Sequence, residues 1–386
     1  MKVAYCGPIS LRILAPDFAE LHGLGDGYAY PFGAYYVQEL LSRGHEVVVV
    51  TNAYTASACL EYRSGKLSLF VSPRRRPKQF IFDAYAKERE MMLQAIVESK
   101  PDVVHAQWCY EFAHVAKASG FPYVVTLRDA PWIVLKHFRN GYRLFRLLYA
   151  YWVMFGVQTS TAVSGYIASS FRKYFGTSAI TVVPNALDES LLSKRPKQLN
   201  GSGNWLFVTT SSWGRLKNCK TLFRAFADVR KVYPNAELAV IGTGLGKDDE
   251  GAEWAEENQL AEGVQFLGRV PHDEILQLLE QSADLFIYTS LQESFCMAVL
   301  EAMAKGVPAV VLPDTGALPW LVEAGRCGVV ASTQEAHDLA QACIELLENP
   351  DRYESISRSA LERVSSEFTM ARVADKYVDV YQKALG

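Results

Sequence analysis

The sequence predicts an α/β protein built from two Rossmann-like domains that face a central cleft. The chain has 386 residues, and a single core of that size is unusual because domains cluster at roughly 100–200 residues. Short apolar runs without polar alternation recur along it, as expected for parallel strands buried on both faces. Amphipathic helical segments separate these runs, and the alternation occurs in two series, which indicates two doubly wound units.

The two series predict the elements and limits of the domains. In the first series, strands are predicted at 3–6, 47–51, 103–105, 123–126 and 181–183, with helices at 35–42 and 86–98. In the second, strands are predicted at 205–209, 237–241, 264–266, 285–288 and 308–312, with helices at 221–233, 273–281 and 298–304. We therefore assign residues 1–187 and 205–367 to the two domains, the polar, glycine-rich stretch 188–204 to a linker, and 368–386 to an amphipathic C-terminal helix.

The bulk composition excludes some classes of protein. A net charge of −3 argues against a general nucleic-acid binder, which needs a basic excess. Seven cysteines without a Cys-x-x-Cys pair indicate reduced thiols, so we expect a cytoplasmic protein. The N-terminal residues lack the long apolar run of a signal peptide.

One apolar segment, 144–157, has two interpretations. It is too short for a confident transmembrane helix, it is rich in aromatic residues, and Arg139, Arg143 and Arg146 lie at or before its start. The first interpretation is a helix packed in the core. The second is a basic, aromatic face that contacts membrane lipid, which would make the protein peripheral on the cytoplasmic face of a membrane.

The segment 290–308 carries the strongest chemical signal. Glu293 follows a predicted strand, and seven residues separate it from Glu301 in the next helix. The amides from Met297 to Val299 are the unpaired donors of that helix N-terminus, whose positive partial charge suits a diphosphate. Glu301 can accept hydrogen bonds from ribose hydroxyls and Glu293 from sugar hydroxyls. The alternative is that both glutamates are solvated helix charges.

This segment resembles the Glu-x7-Glu motif of the retaining glycosyltransferases of family 4, the group 1 glycosyl transferases, which have the GT-B fold. The resemblance implies that Glu293 is catalytic and that Glu301 binds the donor together with Ser294, Phe295, Cys296, Met297, Ala298 and Val299. The family usually has a glycine at the position of Cys296, so this chain changes how closely the backbone approaches the donor phosphates.

Three further loops of the second domain match the family. Arg215 and Lys217 lie where family cations neutralise the donor diphosphate, although a shorter spacer leaves Lys220 as a competitor. A strand-end Gly-x-Gly, formed by Gly242 and Gly244, is expected to line the nucleotide. Arg269 and Val270 belong to the loop that passes over the base, with a plain connecting loop as the alternative.

The first domain matches the family less completely. Gly33 is the glycine kept from a Gly-Gly loop, and we expect its backbone to approach the donor. Gln107 stands in place of a second family histidine, and Arg128 in place of the histidine that contacts the transferred sugar. Arginine cannot act as a base at neutral pH. We therefore assign Arg128 a role in substrate specificity at the catalytic centre.

The resemblance implies transfer of a hexosyl group from a UDP- or GDP-linked sugar to an acceptor hydroxyl, with retained configuration, in polysaccharide or glycoconjugate biosynthesis. Residues 1–187 would bind a glycan or lipid-linked acceptor, residues 205–367 the nucleotide sugar, and helix 368–386 would cross back onto the first domain. We expect no cofactor besides the co-substrate and no metal. A GT-B epimerase and a non-catalytic nucleotide-sugar-binding partner are the alternatives; Cys296, Gln107 and Arg128 motivate the latter.

Overall fold

The computed structural model describes residues 1–14, 30–54, 56–176, 179–199, 201 and 203–386. These residues form two compact units. The first unit comprises Met1–Ala186 together with Met370–Gly386, and the second unit comprises Leu187–Thr369. Each unit contains its own sheet and its own hydrophobic core, as two series of strands and helices predict.

The first unit contains an eight-stranded sheet in the order β3-β4-β2-β1-β5-β6-β7-β8. Every pair of neighbours is parallel except β3 and β4. Only five of these strands were predicted, because the other three are polar or alternate in burial. The strands are β1 Lys2–Cys6, β2 Glu46–Ala53, β3 Leu60–Ser64, β4 Leu67–Pro73, β5 Val103–Gln107, β6 Tyr123–Leu127, β7 Ser160–Ala162 and β8 Ile180–Val182.

Helices connect these strands, and the longer ones present one apolar face to the sheet. Helix α2 begins with Pro31. Proline suits the first helical position because a backbone N–H at that position would have no partner within the helix. The helices are α1 Leu11–Leu14, α2 Pro31–Ser42, α3 Pro77–Phe80, α4 Ala86–Ser99, α5 Glu111–Ala118, α6 Pro131–His137, α7 Gly141–Met154 and α8 Gly165–Phe175.

The second unit contains a six-stranded parallel sheet in the order β11-β10-β9-β12-β13-β14. Its strands are β9 Leu206–Thr210, β10 Glu237–Ile241, β11 Val264–Gly268, β12 Leu285–Tyr288, β13 Ala309–Val311 and β14 Val329–Val330. Its helices are α9 Cys219–Val232, α10 Glu250–Glu257, α11 His272–Gln281, α12 Met297–Ala304, α13 Leu318–Leu321, α14 Ala336–Leu347 and α15 Pro350–Glu367.

The stretch predicted as a linker packs onto the second unit. The backbone N–H of Ser193 donates to the carbonyl of Ala304 at 2.8 Å. The amine of Lys197 donates to the carbonyl of Ala283 at 2.6 Å, and the Lys197 N–H donates to the Ser357 hydroxyl. Polar composition suggested an exposed connection, but these polar atoms donate to two carbonyls and one hydroxyl of the second unit. Residues 200 and 202 lie outside the described part of the chain.

The last helix, α16 Met370–Leu385, belongs to the first unit. Its Tyr381 hydroxyl contacts Nδ1 of His105 at 2.6 Å and the Tyr36 hydroxyl at 2.5 Å, and all three side chains are buried. Arg43, the residue directly after α2, also forms an ion pair with Asp375. The C-terminal helix is therefore part of the first core.

Helix α7 packs in the core along one face only. Tyr149, Ala150, Val153 and Met154 are buried. The opposite side exposes large apolar residues, namely Leu144, Leu148, Tyr151, Trp152 and, just beyond the helix, Phe155, which is 83% exposed. The prediction of a core-packed segment is thus right for half of the helix circumference. Within the described residues, none of the helices has the length and apolarity needed to cross a bilayer.

Candidate functional site

The loop after β12 is fixed by the loops that follow its two neighbouring strands. The N–H of Leu291 donates to the carbonyl of Leu216, which follows β9, at 2.8 Å. On the other side, the N–H of Glu293 donates to the carbonyl of Thr315, which follows β13, and the Ala317 N–H donates to the carbonyl of Glu293. Because β12 lies between β9 and β13, the carboxyl ends of three parallel strands meet at Glu293.

The Glu293 carboxylate is held by two donors. Its Oε1 lies 2.5 Å from the Lys217 amine and 3.0 Å from the Tyr288 hydroxyl. The amine also lies 2.9 Å from the Tyr288 oxygen. Burial raises the pKa of Tyr288, so its hydroxyl stays a donor. Within the described residues no hydrogen bond reaches Oε2, which leaves that oxygen directed to a further donor such as a sugar hydroxyl.

Lys217 and Lys220, the two competing lysines, have different surroundings. Only Lys217 contacts Glu293. Lys220 is exposed, and its amine lies 4.9 Å from the centre of the Trp254 ring, a cation–π contact. Arg215 is exposed as well and forms no ion pair within the described part of the chain. The predicted assignment of Arg215 and Lys217 to the diphosphate stays a prediction, with Lys217 the cation that is built into the site.

Residues 294–299 offer backbone rather than side chains to a ligand. Phe295 is buried against Trp320 and Phe368, and Val299 is buried in the core. Ser294, Met297 and Ala298 are half-buried. Helix α12 begins at Met297, so its first amides precede the helical hydrogen-bond ladder.

Cys296 adopts a backbone conformation that favours glycine. Its φ is 98° and its ψ is 92°, and its side chain is buried. Residues other than glycine are strained at positive φ values of this kind. The glycine that the resembled family has at this position therefore meets a backbone requirement that this chain also imposes, and the cysteine occupies it under strain.

Glu301 is paired in a way that the sequence did not reveal. Its Oε1 lies 3.0 Å from Nε2 of His272, the first residue of α11. The Glu301 carboxylate, by this hydrogen bond, raises the pKa of His272 above its ordinary value. The Glu301 side chain is 14% exposed and that of His272 is 61% exposed. The sequence offered one signal for this pair: His272 comes directly after Pro271, the last residue of the loop predicted to pass over the base.

The glycines of the Gly-x-Gly turn are required by contacts within the protein. A Cβ on Gly242, whose φ is 137°, would lie 1.6 Å from the carbonyl oxygen of Ser211. A Cβ on Gly244 would lie 2.7 Å from Cβ of Trp213. These residues bring the loop after β10 against the loop after β9. Arg269 is exposed and its Nε donates to Thr243 at 3.0 Å, while Val270 is half-buried.

In the first unit, protein atoms fill the space beside Gly33. A Cβ there would lie 2.4 Å from the Tyr5 hydroxyl and 3.1 Å from the Pro8 carbonyl. The residue is buried near the start of α2. We predicted that the donor approaches the backbone at Gly33. In the structure Tyr5 approaches it closely, because the first turn of α2 packs on the end of β1.

Arg128 lies buried between the rings of Tyr30 and Phe32, at 4.7 and 4.8 Å from their centres. Its Nε donates to Gln107 and its Nη1 to Asn185, both at 2.6 Å. Its Nη2 is buried and forms no hydrogen bond with any residue that the structure describes. Gln107 and Arg128, which both replace family histidines in the first domain, are therefore hydrogen-bonded to each other.

This contact fixes the state of His105. Arginine only donates, so the Gln107 oxygen faces Arg128 and its amide nitrogen faces Nε2 of His105 at 3.1 Å. Nε2 must then accept, which places the imidazole proton on Nδ1, 2.6 Å from Tyr381. Burial, and next the charge of Arg128, lowers the pKa of His105 well below its ordinary value. His105 is a neutral structural residue.

Within the described residues, no three His, Cys, Asp or Glu side chains come together as a metal site would require. Asp249, beside the Gly-x-Gly turn, has a local role: it accepts a hydrogen bond from the Gly246 N–H at 2.7 Å.

Two sequence families match consecutive parts of the chain. Residues 34–191 match Glycosyltransferase Family 4, and residues 193–363 match Glycosyl transferases group 1. Among curated relatives, glycogen synthase of Mycobacterium tuberculosis is 28% identical over 308 residues, which cover 74% of this chain and 69% of that protein. D-inositol 3-phosphate glycosyltransferase of Corynebacterium kroppenstedtii is 30% identical over 44% of this chain and 39% of that protein.

Solved structures share the fold over the full length. Sucrose-phosphate synthase of Thermosynechococcus elongatus superposes with a TM-score of 0.75 at 17% identity, covering 99% of this chain and 98% of that one. Anabaena HepE in complex with UDP and glucose has a TM-score of 0.67 at 19% identity and covers 99% of each chain. Two Rossmann-like units of this kind form the GT-B fold. The chain belongs to the family 4, or group 1, glycosyltransferases.

The strained backbone at Cys296 predicts an unusual order of stabilities. We expect Cys296→Gly to have a higher free energy of unfolding than Cys296→Ala, by about 1 kcal/mol or more, because both lack the thiol and only alanine keeps the strained Cβ. Urea denaturation measures the difference. At Ala302, in the middle of α12, the usual order holds, and Ala302→Gly should lose about 1 kcal/mol. Equal stability of the two Cys296 variants would contradict the backbone assignment.

The contact between Glu301 and His272 predicts a titration. In an NMR titration, we expect His272 to lose its proton at a pH above the ordinary histidine value of about 6.5, because the protonated ring is stabilised by the carboxylate. Glu301→Gln should lower that pKa, whereas Glu274→Gln, an exposed change on the same helix as His272, should leave it in place. A His272 pKa unaffected by Glu301→Gln would show that the two side chains do not pair.

Proposed function

We propose that this glycosyltransferase moves a hexosyl group from a UDP- or GDP-linked sugar to an acceptor hydroxyl with retained anomeric configuration, in polysaccharide or glycoconjugate biosynthesis. The observation that carries the proposal is the Lys217–Glu293–Tyr288 cluster at the end of β12, directly before the N-terminus of α12. HepE, a structural neighbour, binds UDP and glucose, which supports a nucleotide sugar as the donor.

Each residue of the cluster has a proposed role. Lys217 and Arg215 neutralise the diphosphate as it departs, together with the first amides of α12. Glu293 accepts a hydrogen bond from a donor-sugar hydroxyl through its Oε2. Glu301 accepts hydrogen bonds from the ribose hydroxyls. Its carboxylate then binds the ribose and His272 at the same time. Fixed cations take over the neutralisation that a metal provides in other transferases, and the enzyme needs no further cofactor.

The resemblance to retaining glycosyltransferases supports a reaction on one face of the donor sugar. The bond between the anomeric carbon and the diphosphate oxygen breaks while the acceptor oxygen bonds to the same face of that carbon. The leaving phosphate oxygen takes the acceptor proton, so that no protein base is required. The protein positions the two substrates and stabilises an oxocarbenium-like transition state. Arg128 donates only, and we assign it to orienting a substrate oxygen through its buried, unpartnered Nη2.

The exposed side of α7 supports an acceptor at a membrane surface. Leu148, Trp152 and Phe155 are 61%, 60% and 83% exposed and line a groove of about 800 Å³. Residues 130–187 contain no Asp or Glu, and exposed cations on this part of the chain include Arg139, Arg172 and Lys173. Aromatic side chains flanked by cations suit the interface of an anionic bilayer. We therefore propose peripheral contact with the cytoplasmic face of a membrane and a glycan or lipid-linked acceptor.

The donor site is tested by paired substitutions. We expect Glu293→Gln and Lys217→Met each to lower turnover by at least about 100-fold, since each removes a fixed charge from the reacting centre. Lys220→Met should be nearly neutral, which separates the two lysines. A thermal-shift panel of UDP, GDP, ADP and CMP sugars identifies the donor, because a bound ligand raises the melting temperature by mass action.

The same assays discriminate the alternatives. A chain that isomerises a nucleotide sugar without an acceptor would be an epimerase, and product analysis with donor alone reveals that. A product with inverted configuration would overturn the retaining mechanism. If Glu293→Gln and Lys217→Met both left turnover unchanged, the donor site would lie elsewhere.

Vesicle binding tests the exposed face of α7. We expect co-sedimentation with vesicles of phosphatidylglycerol and phosphatidylcholine, and weaker co-sedimentation at high salt because bound charges are screened. Phe155→Ser should reduce binding several-fold. Phe82→Ser is the matched control, since Phe82 is 90% exposed in the same unit but lies outside α7. Equal loss in both variants, or no binding to anionic vesicles, would reject the membrane contact.

A further inference from the structure

A separate cavity of about 170 Å³ lies in the first unit at the carboxyl ends of β5 and β6. Its lining residues are Trp108, Glu111, Phe112, Asp129, Arg143 and Arg146. Trp108 directly follows β5, and Asp129 follows β6 after one intervening residue. In doubly wound sheets, ligands bind beyond the carboxyl ends of the strands. None of these residues belongs to the donor cluster described above.

The charges of this cavity are incompletely paired. Arg146 lies over the Tyr110 ring, 3.4 Å from its centre, and its Nη1 is 4.0 Å from Oε2 of Glu111. That distance is too long for a hydrogen bond. The Nε of Arg146 and the Oε2 of Glu111 are both buried, and neither has a hydrogen-bond partner in the part of the chain that the structure describes. Buried polar atoms of this kind cost free energy unless a partner is supplied.

Two further charged residues, Arg143 and Asp129, line the cavity. Arg143 is half-buried and forms no ion pair among the residues that the structure describes. Asp129 is half-buried as well, and it accepts a hydrogen bond from Tyr110 at 3.3 Å. Burial raises the pKa of Asp129, and the charge of Arg146 opposes that change. Arg74, 3.8 Å from Oε1 of Glu111, adds a third cation behind the cavity.

We propose that this cavity binds a phosphate group carried by a hydroxylated acceptor; the identity of the ligand as acceptor rests on the proposed function. Arg143 and Arg146 face the phosphate oxygens, which guanidinium groups bind by charge-assisted hydrogen bonds. Glu111 and Asp129 accept from neighbouring hydroxyls. Three arginines against two carboxylates leave a net positive charge. The volume is below the roughly 300–1,000 Å³ of pockets that enclose drug-sized ligands, so it suits a phosphorylated ring rather than a whole lipid.

Binding of small probes without any nucleotide tests the cavity. By calorimetry, glucose 6-phosphate should bind at least about tenfold more tightly than glucose, since only the phosphate engages the arginines. Arg143→Gln should remove that advantage. Arg63→Gln, an exposed arginine of the same unit outside the cavity, should retain it. Equal affinity for glucose and glucose 6-phosphate, or an effect of Arg143→Gln no larger than that of Arg63→Gln, would overturn the proposal.

A second variant separates ligand contact from damage to the fold. Glu111→Gln removes a negative charge from the cavity, so inorganic phosphate should bind several-fold more tightly, the opposite of the effect of Arg143→Gln. A purely structural role would weaken binding in both variants, and that result would overturn the proposal. Because these assays contain no sugar donor, a failure of glycosyl transfer and a failure of phosphate binding are observed independently.

Discussion

The site in the second unit depends on the position of β12 between β9 and β13. The backbone of Leu291 and Glu293 is bonded to the loops after both neighbours, so the Glu293 side chain is placed by the sheet rather than by its own short loop. Lys217 comes from one of those loops, and its ion pair with Glu293 is mostly buried. Removing one partner of a buried ion pair destabilises a protein strongly, because the other charge stays buried and unpaired. The sheet order, the pinned loop and the charge pair therefore form one unit of structure.

The same constraint explains what could be predicted. Central parallel strands are continuous apolar runs, and the predicted limits of β10 and β12 agree with the structure; the edge strand β3, with its sequence LEYRS, gives no such signal. Glu293 and Lys217 lie in the loops that follow β12 and β9, and the sequence motifs point to both. Tyr288 and His272 could not be assigned, because their roles arise from contacts to residues 71 and 29 positions away, which periodicity does not report.

Small residues show where prediction from sequence reaches its limit. A glycine reveals that something approaches closely, but it does not reveal what. At Gly33, Gly242 and Gly244 the approaching atoms belong to Tyr5, Ser211 and Trp213. Cys296 is the converse case, because its positive φ favours glycine and the chain has cysteine there. The chain therefore keeps a glycine-type backbone conformation at the N-terminus of α12 even though cysteine replaces the glycine.

The first unit collects positive charge at one edge of its sheet. Arg128 forms hydrogen bonds to two amide oxygens and, within the described residues, no ion pair, while two aromatic faces enclose it. A neutral His105 supports it through Gln107. Asp129, the next residue, lines the cavity that contains Arg143 and Arg146. Consecutive residues after β6 therefore belong to two different cationic clusters, and positive charge of this kind attracts ligands that carry negative charge. Under the proposed function, the replacement of a family histidine by Arg128 changes the electrostatics of the substrate site, and it leaves the metal-free, base-free chemistry proposed for the second unit intact.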